Sequence, residues 1–105
     1  MKPDDRVSCH NPDPAKHGTR IPSWTYELVR DAIFHALDSR PAGFPFSDLP
    51  SFIARTLTRD DSHRLGSVSW HTTVVKLDLE ARCEIERVPG SRPQLLRRAR
   101  EKGSR

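Results

Sequence analysis

Two neighbouring stretches decide the fold: SVSWHTTVVKLDLEAR at residues 67–82 and EIERVPGSRPQLLRR at residues 84–98. Apolar residues recur in the first stretch at helical spacing and form two overlapping stripes, Trp70-Val74-Leu77-Ala81 and Val68-Val75-Leu79. Most of the circumference of this helix is therefore expected to be buried, with Trp70 as a core anchor. The remaining polar stripe is the face expected to be free for a partner, and it consists of Ser69, Thr73, Lys76 and Glu80.

The second stretch has the spacing of strands. Residues 84–88 can form a strand, Pro89-Gly90-Ser91 has the composition of a turn, and residues 94–98 are suited to a return strand. This pattern predicts a terminal β-hairpin. The alternative is that Pro93 begins a short basic helix, because proline is favoured at the first helical position.

Two more helices and a short strand are expected upstream. The first helix covers residues 24–39, with Ser23 as its N-cap, and its buried face consists of Tyr26, Val29, Ile33, Ala36 and Leu37. It ends before Pro41-Ala42-Gly43, and Phe44-Pro45-Phe46 predicts a brief edge strand. Ser47 is expected to cap the second helix, whose buried face consists of Leu49, Phe52, Ile53 and Leu57. Residues 59–64 are expected to form a polar loop.

The chain divides into three parts. Residues 1–22 are rich in proline and turn-forming residues, and they predict a flexible arm or one that lies over the domain surface. Residues 23–98 are expected to form a single domain of the α+β class, mainly α, with Trp24 also packed in its core. Residues 99–105 are expected to be a basic tail.

Charge is distributed unevenly along the 105 residues. The net charge is +4, but residues 1–86 hold 11 basic and 13 acidic side chains, whereas residues 87–105 hold 7 basic side chains and one acidic one. Such a basic segment is typical either of a nucleic-acid contact or of a solvated tail. No apolar run approaches a membrane span, and the N-terminus lacks the pattern of an export signal. With two cysteines, the cytoplasm is the expected compartment.

The residue spacings favour neither a metal centre nor an active site. The histidines and cysteines do not form the paired short intervals of zinc ligands; they are His10, His17, His35, His63, His71, Cys9 and Cys83. There is no glycine-rich phosphate loop and no Gly-x-Ser-x-Gly elbow. We therefore expect a protein that is not an enzyme, with no cofactor, no metal and no small-molecule substrate.

The order of three helices, one short strand and a terminal hairpin is that of a winged helix-turn-helix domain. Residues 70–82 and 85–91 resemble the third helix and the wing of such proteins. The stretch from Asn11 through Arg98 resembles a family of small bacterial proteins of uncharacterised function to which that fold is assigned. In winged-helix proteins at large, the third helix enters the DNA major groove and the wing lies along the backbone.

This resemblance implies a set of DNA contacts, which consists of Ser69, Thr73 and Lys76 on the third helix and Arg87, Arg92, Arg97 and Arg98 in the wing. Two features depart from the usual pattern. The link at residues 58–66 is longer than a compact helix-turn-helix allows, and Cys83 stands where many winged helices have glycine. Either the helix ends without a left-handed cap or Cys83 adopts a strained conformation.

Two functional hypotheses follow from the sequence. The first is a DNA-binding module, which the element order and the basic C-terminal segment favour. The second is a protein-interaction module on the same fold, with a protein partner or a second copy of the chain bound by the acidic part of the third helix and the arm. The charge balance of the third helix favours the second hypothesis, because Asp78 and Glu80 offset Lys76 and Arg82.

Overall fold

A computed structural model describes residues 5–13, 16 and 18–99. Within these residues the chain forms four α-helices and two small antiparallel sheets. The elements are β1 (Arg6–Cys9), β2 (Thr19–Pro22), α1 (Ser23–Ser39), β3 (Phe44–Pro45), α2 (Leu49–Thr56), α3 (Arg59–Leu65), α4 (Val68–Ala81), β4 (Ile85–Arg87) and β5 (Leu95–Arg98). A 3-10 turn at Phe46–Asp48 connects β3 to α2. No helix in the described part is long and apolar enough to span a bilayer.

Helix α1 has the predicted position, but its start differs from the prediction. Ser23 is the first helical residue rather than the cap, and Pro22 at the cap position has no side chain to offer a hydrogen bond. The Ser23 amide instead donates to the carbonyl oxygen of Asp5 at 2.8 Å. A free N–H at the start of this helix is therefore satisfied by the N-terminal segment, which the sequence pattern did not indicate.

The predicted polar loop at residues 59–64 is wrong, because these residues belong to α3. Thr58 caps this helix: its Oγ1 accepts from the Asp61 amide at 3.0 Å. Aspartates in the first turn and basic residues in the last turn suit the helix dipole. Gly66, with φ of 80°, ends the helix in a conformation that a side chain disfavours. Only Gly66 and Ser67 separate α3 from α4, so the two helices are joined by a compact turn.

Residues 6–9 and 19–22 form strands packed on the helices, so of the two forms expected for the arm they take the one that lies over the domain and not the flexible one. Strands β1 and β2 pair antiparallel, with Val7 opposite Ile21, and contact both α1 and α4. Cys9 and Ile21 belong to the hydrophobic core, each with 2% exposure. Strand pairing satisfies the backbone, and burial against the helices offsets the entropy of ordering a segment with few apolar residues. Residues 1–4, 14, 15 and 17 lie outside the described part.

The terminal hairpin is confirmed, and the alternative of a helix beginning at Pro93 is wrong up to Ala99. Strand β5 lies between β3 and β4 and pairs antiparallel with both. Leu96 lies opposite both Phe44 and Arg87 and is fully buried. The short strand β3 therefore forms one edge of the sheet, and the buried side chains of Phe44 and Leu96 connect the sheet to the helical core. The predicted basic tail lies outside the described residues from position 100 onward.

Helix α4 buries one of its two apolar stripes and leaves the other partly exposed. Val75 and Leu79 are fully buried, whereas Trp70 is 48% exposed, so its predicted role as a core anchor is wrong. The residues that follow it in the same stripe, Val74, Leu77 and Ala81, are only partly buried. Trp24 is also only partly buried, and the guanidinium of Arg64 lies 4.4 Å from the centre of its ring.

Cys83 ends α4 in the left-handed conformation, with φ of 63°. The Cys83 amide donates to the Glu80 carbonyl at 3.0 Å, and the Glu84 amide donates to the Leu79 carbonyl at 2.9 Å. These two bonds form a Schellman motif, which usually has glycine at this position. Of the two outcomes left open by the sequence, Cys83 therefore adopts the strained conformation.

Replacing Cys83 with glycine is expected to raise the free energy of unfolding by about 1 kcal/mol, since glycine adopts a positive φ without the steric cost of Cβ. Urea unfolding measures this change. The control Cys83→Ala keeps Cβ and is expected to unfold like the wild type. An equal gain in both variants would show that the thiol, and not the backbone, is the source of the cost.

Candidate nucleic-acid interface

The first two turns of α4 present a polar surface without acidic residues. Ser67 caps the helix through its Oγ, which accepts from the Trp70 amide at 3.1 Å. Ser69 and Thr73, both predicted contact residues, are exposed and lie on the same side of the helix. Hydroxyl groups donate and accept hydrogen bonds, and the N-terminal end of a helix dipole favours an anion. This surface suits a phosphate backbone or a base edge.

Lys76, the third predicted contact on this helix, is not free to reach a partner. It is 2% exposed, and its Nζ lies 3.0 Å from Oε1 of Glu80. The ammonium also lies 4.7 Å from the ring centre of Phe46. Burial lowers the pKa of Lys76, although the Glu80 carboxylate opposes this effect. The prediction that Lys76 lies on the free face of the helix is therefore wrong.

Arg87 joins the wing to the polar side of α4. Its Nε donates to Oε2 of Glu80 at 2.9 Å, while 58% of its side chain stays exposed. Glu80 lies on the same side of α4 as Thr73, two turns further along. The guanidinium of Arg87 therefore marks the far end of the surface that begins at Ser69, and the structure brings these predicted residues together.

Arg97 and Arg98 point away from that surface. Successive residues of a strand face opposite sides of the sheet, so Arg97 lies on the side opposite the buried Leu96, where its Nε donates to Glu86 at 2.6 Å. Arg98 forms two hydrogen bonds to Asp38 of α1, at 2.7 and 3.0 Å. These bonds hold the pKa of Asp38 below its usual range.

Arg92 lies in the turn of the wing between β4 and β5 and is exposed. Among the described residues it forms no ion pair, in contrast to the other three predicted wing arginines. The turn itself is held by Ser91, whose Oγ donates to the Val88 carbonyl at 2.8 Å and accepts from the Leu95 amide at 3.1 Å. A fixed turn with an unpaired guanidinium at its tip suits contact with a phosphate.

Sequence reasoning missed a buried polar cluster around Asp78. This carboxylate has no exposed surface, and it accepts from the Tyr26 hydroxyl at 2.5 Å, the His10 amide at 2.9 Å and Nε of Arg82 at 2.7 Å. Arg82 also donates to the Ser8 carbonyl at 3.2 Å. Asp78 thus connects α4 to α1 and to the N-terminal strands. The signal in the sequence was a carboxylate between the apolar residues of a helix expected to be mostly buried.

The pKa values of two groups beside Asp78, Cys9 and Tyr26, are raised. Burial, with a further contribution from the Asp78 carboxylate, raises the pKa of the Cys9 thiol to about 11. Burial and the hydrogen bond to Asp78 raise the pKa of the Tyr26 hydroxyl well above its usual range. Both groups therefore stay protonated at neutral pH, and Cys9 is a poor nucleophile there because only the thiolate is reactive. The cluster is suited to holding elements together.

The described residues do not assemble a metal centre: no three His, Cys, Asp or Glu side chains among them are placed to hold an ion. His17, one of the histidines considered in the sequence, lies outside the described part. His71 is oriented by its own helix, with Nδ1 2.8 Å from the Ser67 carbonyl.

Comparison with known proteins adds one finding. A search of curated proteins and of solved structures finds no match. A family model matches residues 6–96, which includes every element described above except the last residues of β5. The match covers the N-terminal strands as well as the helical part, in keeping with their packing into one core. The chain therefore belongs to DUF6958, a family of unknown function.

Proposed function

We propose that this protein is a non-enzymatic DNA-binding module of the winged-helix type. The observation that carries the proposal is the arrangement of the elements: a helix, a short strand, further helices and a hairpin, with β5 between β3 and β4 in the sheet. The compact turn at Gly66 and Ser67 supports the proposal, because a helix-turn-helix joins its two helices by a short turn that often contains glycine. The link at residues 58–66 is longer than in a compact helix-turn-helix because it contains α3.

In this proposal α4 lies in the major groove and the wing lies along the backbone. Ser69 and Thr73 contact base edges or phosphates, and Arg87 and Arg92 contact phosphates. The other three predicted residues are left out, because Lys76 is buried and because Arg97 and Arg98 are turned to other parts of the protein.

The charge balance of α4, which favoured the protein-interaction hypothesis, is internal to the fold. Asp78 is fully buried, and the Glu80 carboxylate lies between Lys76 and Arg87. Neither carboxylate is left uncompensated to repel a phosphate. The alternative hypothesis used the acidic part of this helix as its contact surface, so burial of that part favours DNA over a protein partner.

A titration of a labelled random-sequence duplex at several salt concentrations tests the proposal. Binding is expected to weaken steeply with salt, and Arg92→Gln is expected to reduce the slope of log K against log salt by about one. Thr73→Glu is expected to weaken binding about tenfold or more, because it places a carboxylate against the backbone. Ser51→Glu is the matched control, since it adds the same charge at an exposed position of α2 outside the proposed surface.

Two results would contradict the proposal. One is equal binding by Thr73→Glu, Arg92→Gln and the wild type together with loss of binding in a chain shortened to Ala99, which would assign the affinity to the tail. The other is the absence of binding at low salt combined with a stable protein complex at high salt, which would favour the protein-interaction module.

A further inference from the structure

The exposed side of α4 lacks the side chains that read purines. Arginine and lysine read guanine, and asparagine and glutamine read adenine, in each case by paired hydrogen bonds in the major groove. The only long polar side chains among the described residues of α4 are Lys76, which is buried, and Glu80, which is paired on both sides. The exposed or partly exposed residues of its first three turns are Val68, Ser69, Trp70, His71, Thr73, Val74 and Leu77.

Beside the hydroxyl groups of Ser69 and Thr73, the exposed side of α4 carries apolar side chains where a helix that reads bases would carry long polar ones. Trp70 is the only large hydrophobic residue among those described that is exposed, at 48%. Thr73 and Leu77 follow at three and seven positions, so a methyl group and an isobutyl group lie on the same side of the helix. At the far end of this surface the Glu80 carboxylate lies between Lys76 and Arg87, and the exposed guanidinium of Arg87 is the outermost charge there. An apolar surface that ends in a cation complements an anionic partner that also presents an apolar group.

Trp70 is held in place by its neighbours. Its ring meets the ring of His71 edge to face, with centroids 4.9 Å apart and planes at 85°. Nδ1 of His71 lies 2.8 Å from the Ser67 carbonyl, which only accepts, so Nδ1 carries the proton and donates. This hydrogen bond fixes the imidazole, and the imidazole supports the indole. An exposed tryptophan held in this way is prepared for contact before any partner binds.

We propose that Trp70 contacts the C5 methyl group of thymine and gives the protein a preference for A·T-rich duplexes. Among the base edges of the major groove, the thymine methyl is the one apolar group. Burying one methyl group is worth roughly a fourfold change in affinity. This inference rests on the proposed DNA-binding function and adds the chemical class of site that α4 selects.

The test compares alternating dA-dT duplex with alternating dA-dU duplex of equal length, which differ in the thymine methyl groups. The wild type is expected to bind the dA-dT duplex at least fourfold more tightly. Trp70→Ala is expected to bind both duplexes equally, and Trp70→Phe is expected to keep part of the preference. Trp24→Phe, which changes the other tryptophan, is expected to behave like the wild type. Circular dichroism verifies that each variant folds.

The outcomes separate this inference from the proposed function. Equal affinity of the wild type for both duplexes overturns the methyl contact and leaves DNA binding in place. Failure to bind any duplex removes both. A wild-type dimer that becomes a monomer in Trp70→Ala, as measured by sedimentation, would assign the indole to a contact between two copies and would also overturn the inference.

Discussion

Replacing Asp78 with alanine is expected to lower the free energy of unfolding by about 3 kcal/mol, because it leaves the buried Tyr26 hydroxyl and two partly buried donors without their acceptor. Domains of this size are stable by about 5–15 kcal/mol, so the loss is a large part of the total. The Tyr26 hydroxyl, the His10 amide and the Arg82 guanidinium all depend on this carboxylate. Chemical denaturation followed by tryptophan fluorescence measures the change.

Two further variants distinguish the cluster from a simple charge effect. Tyr26→Phe removes one hydrogen bond to the carboxylate and is expected to cost about 2 kcal/mol. Asp38→Ala is the matched control, because Asp38 is also paired with an arginine but at the surface, where ion pairs contribute little. Equal midpoints for Asp78→Ala and Asp38→Ala would contradict a stabilising role for the buried cluster. Hydrogen exchange in β1 is expected to accelerate in Asp78→Ala, since His10 and Arg82 then lose their anchor.

Replacing Glu80 with alanine is expected to cost about 3 kcal/mol or more, whereas replacing Lys76 with methionine is expected to leave stability unchanged or higher. The first change leaves the buried ammonium of Lys76 without its carboxylate. The second removes the buried charge and keeps the side-chain volume against Phe46, and Glu80 retains Arg87 as its partner. Thermal unfolding of both variants beside the wild type measures the contrast.

The same pair of variants bears on DNA binding. Because Lys76 is buried, Lys76→Met is expected to bind DNA with the affinity and salt slope of the wild type. Arg92→Gln serves as the reference variant with the same loss of one positive charge. A fall in salt slope in Lys76→Met equal to that in Arg92→Gln would show that the ammonium reaches phosphate, contrary to its position in this structure.

Local patterns were sufficient to predict several elements. The face from Tyr26 to Leu37 and the stop at Pro41 predicted α1 to within one residue of its start. The turn at Pro89-Gly90-Ser91 predicted the hairpin, and Phe44 predicted a short strand that pairs with β5. The helix and the hairpin depend largely on interactions between residues near one another in the chain, which is why the pattern sufficed, whereas the pairing of Phe44 with Leu96 is long-range and was not predicted.

Helix α3 was missed although its cap was present in the sequence. Thr58 precedes Asp61 by three residues, which is the spacing at which an N-cap side chain accepts a hydrogen bond from a backbone amide. This spacing is visible in the sequence. The helix was taken for a loop because only Leu65 of its seven residues is buried, so hydrophobic periodicity gives no signal there. Capping and charge at the two ends, rather than an apolar face, indicate this helix.

By itself, the sequence determined where most helices and strands begin and end and where the basic residues are concentrated. It did not determine which side of α4 is buried, since both apolar stripes satisfy the same helical period. That choice belongs to the tertiary structure, which packs Val75 and Leu79 inward and leaves Trp70 exposed. The sequence also did not determine which charged residues are buried, for a related reason. A carboxylate or an ammonium is tolerated inside a protein only where a partner meets it, and Tyr26 and Phe46 reach Asp78 and Lys76 only through the fold.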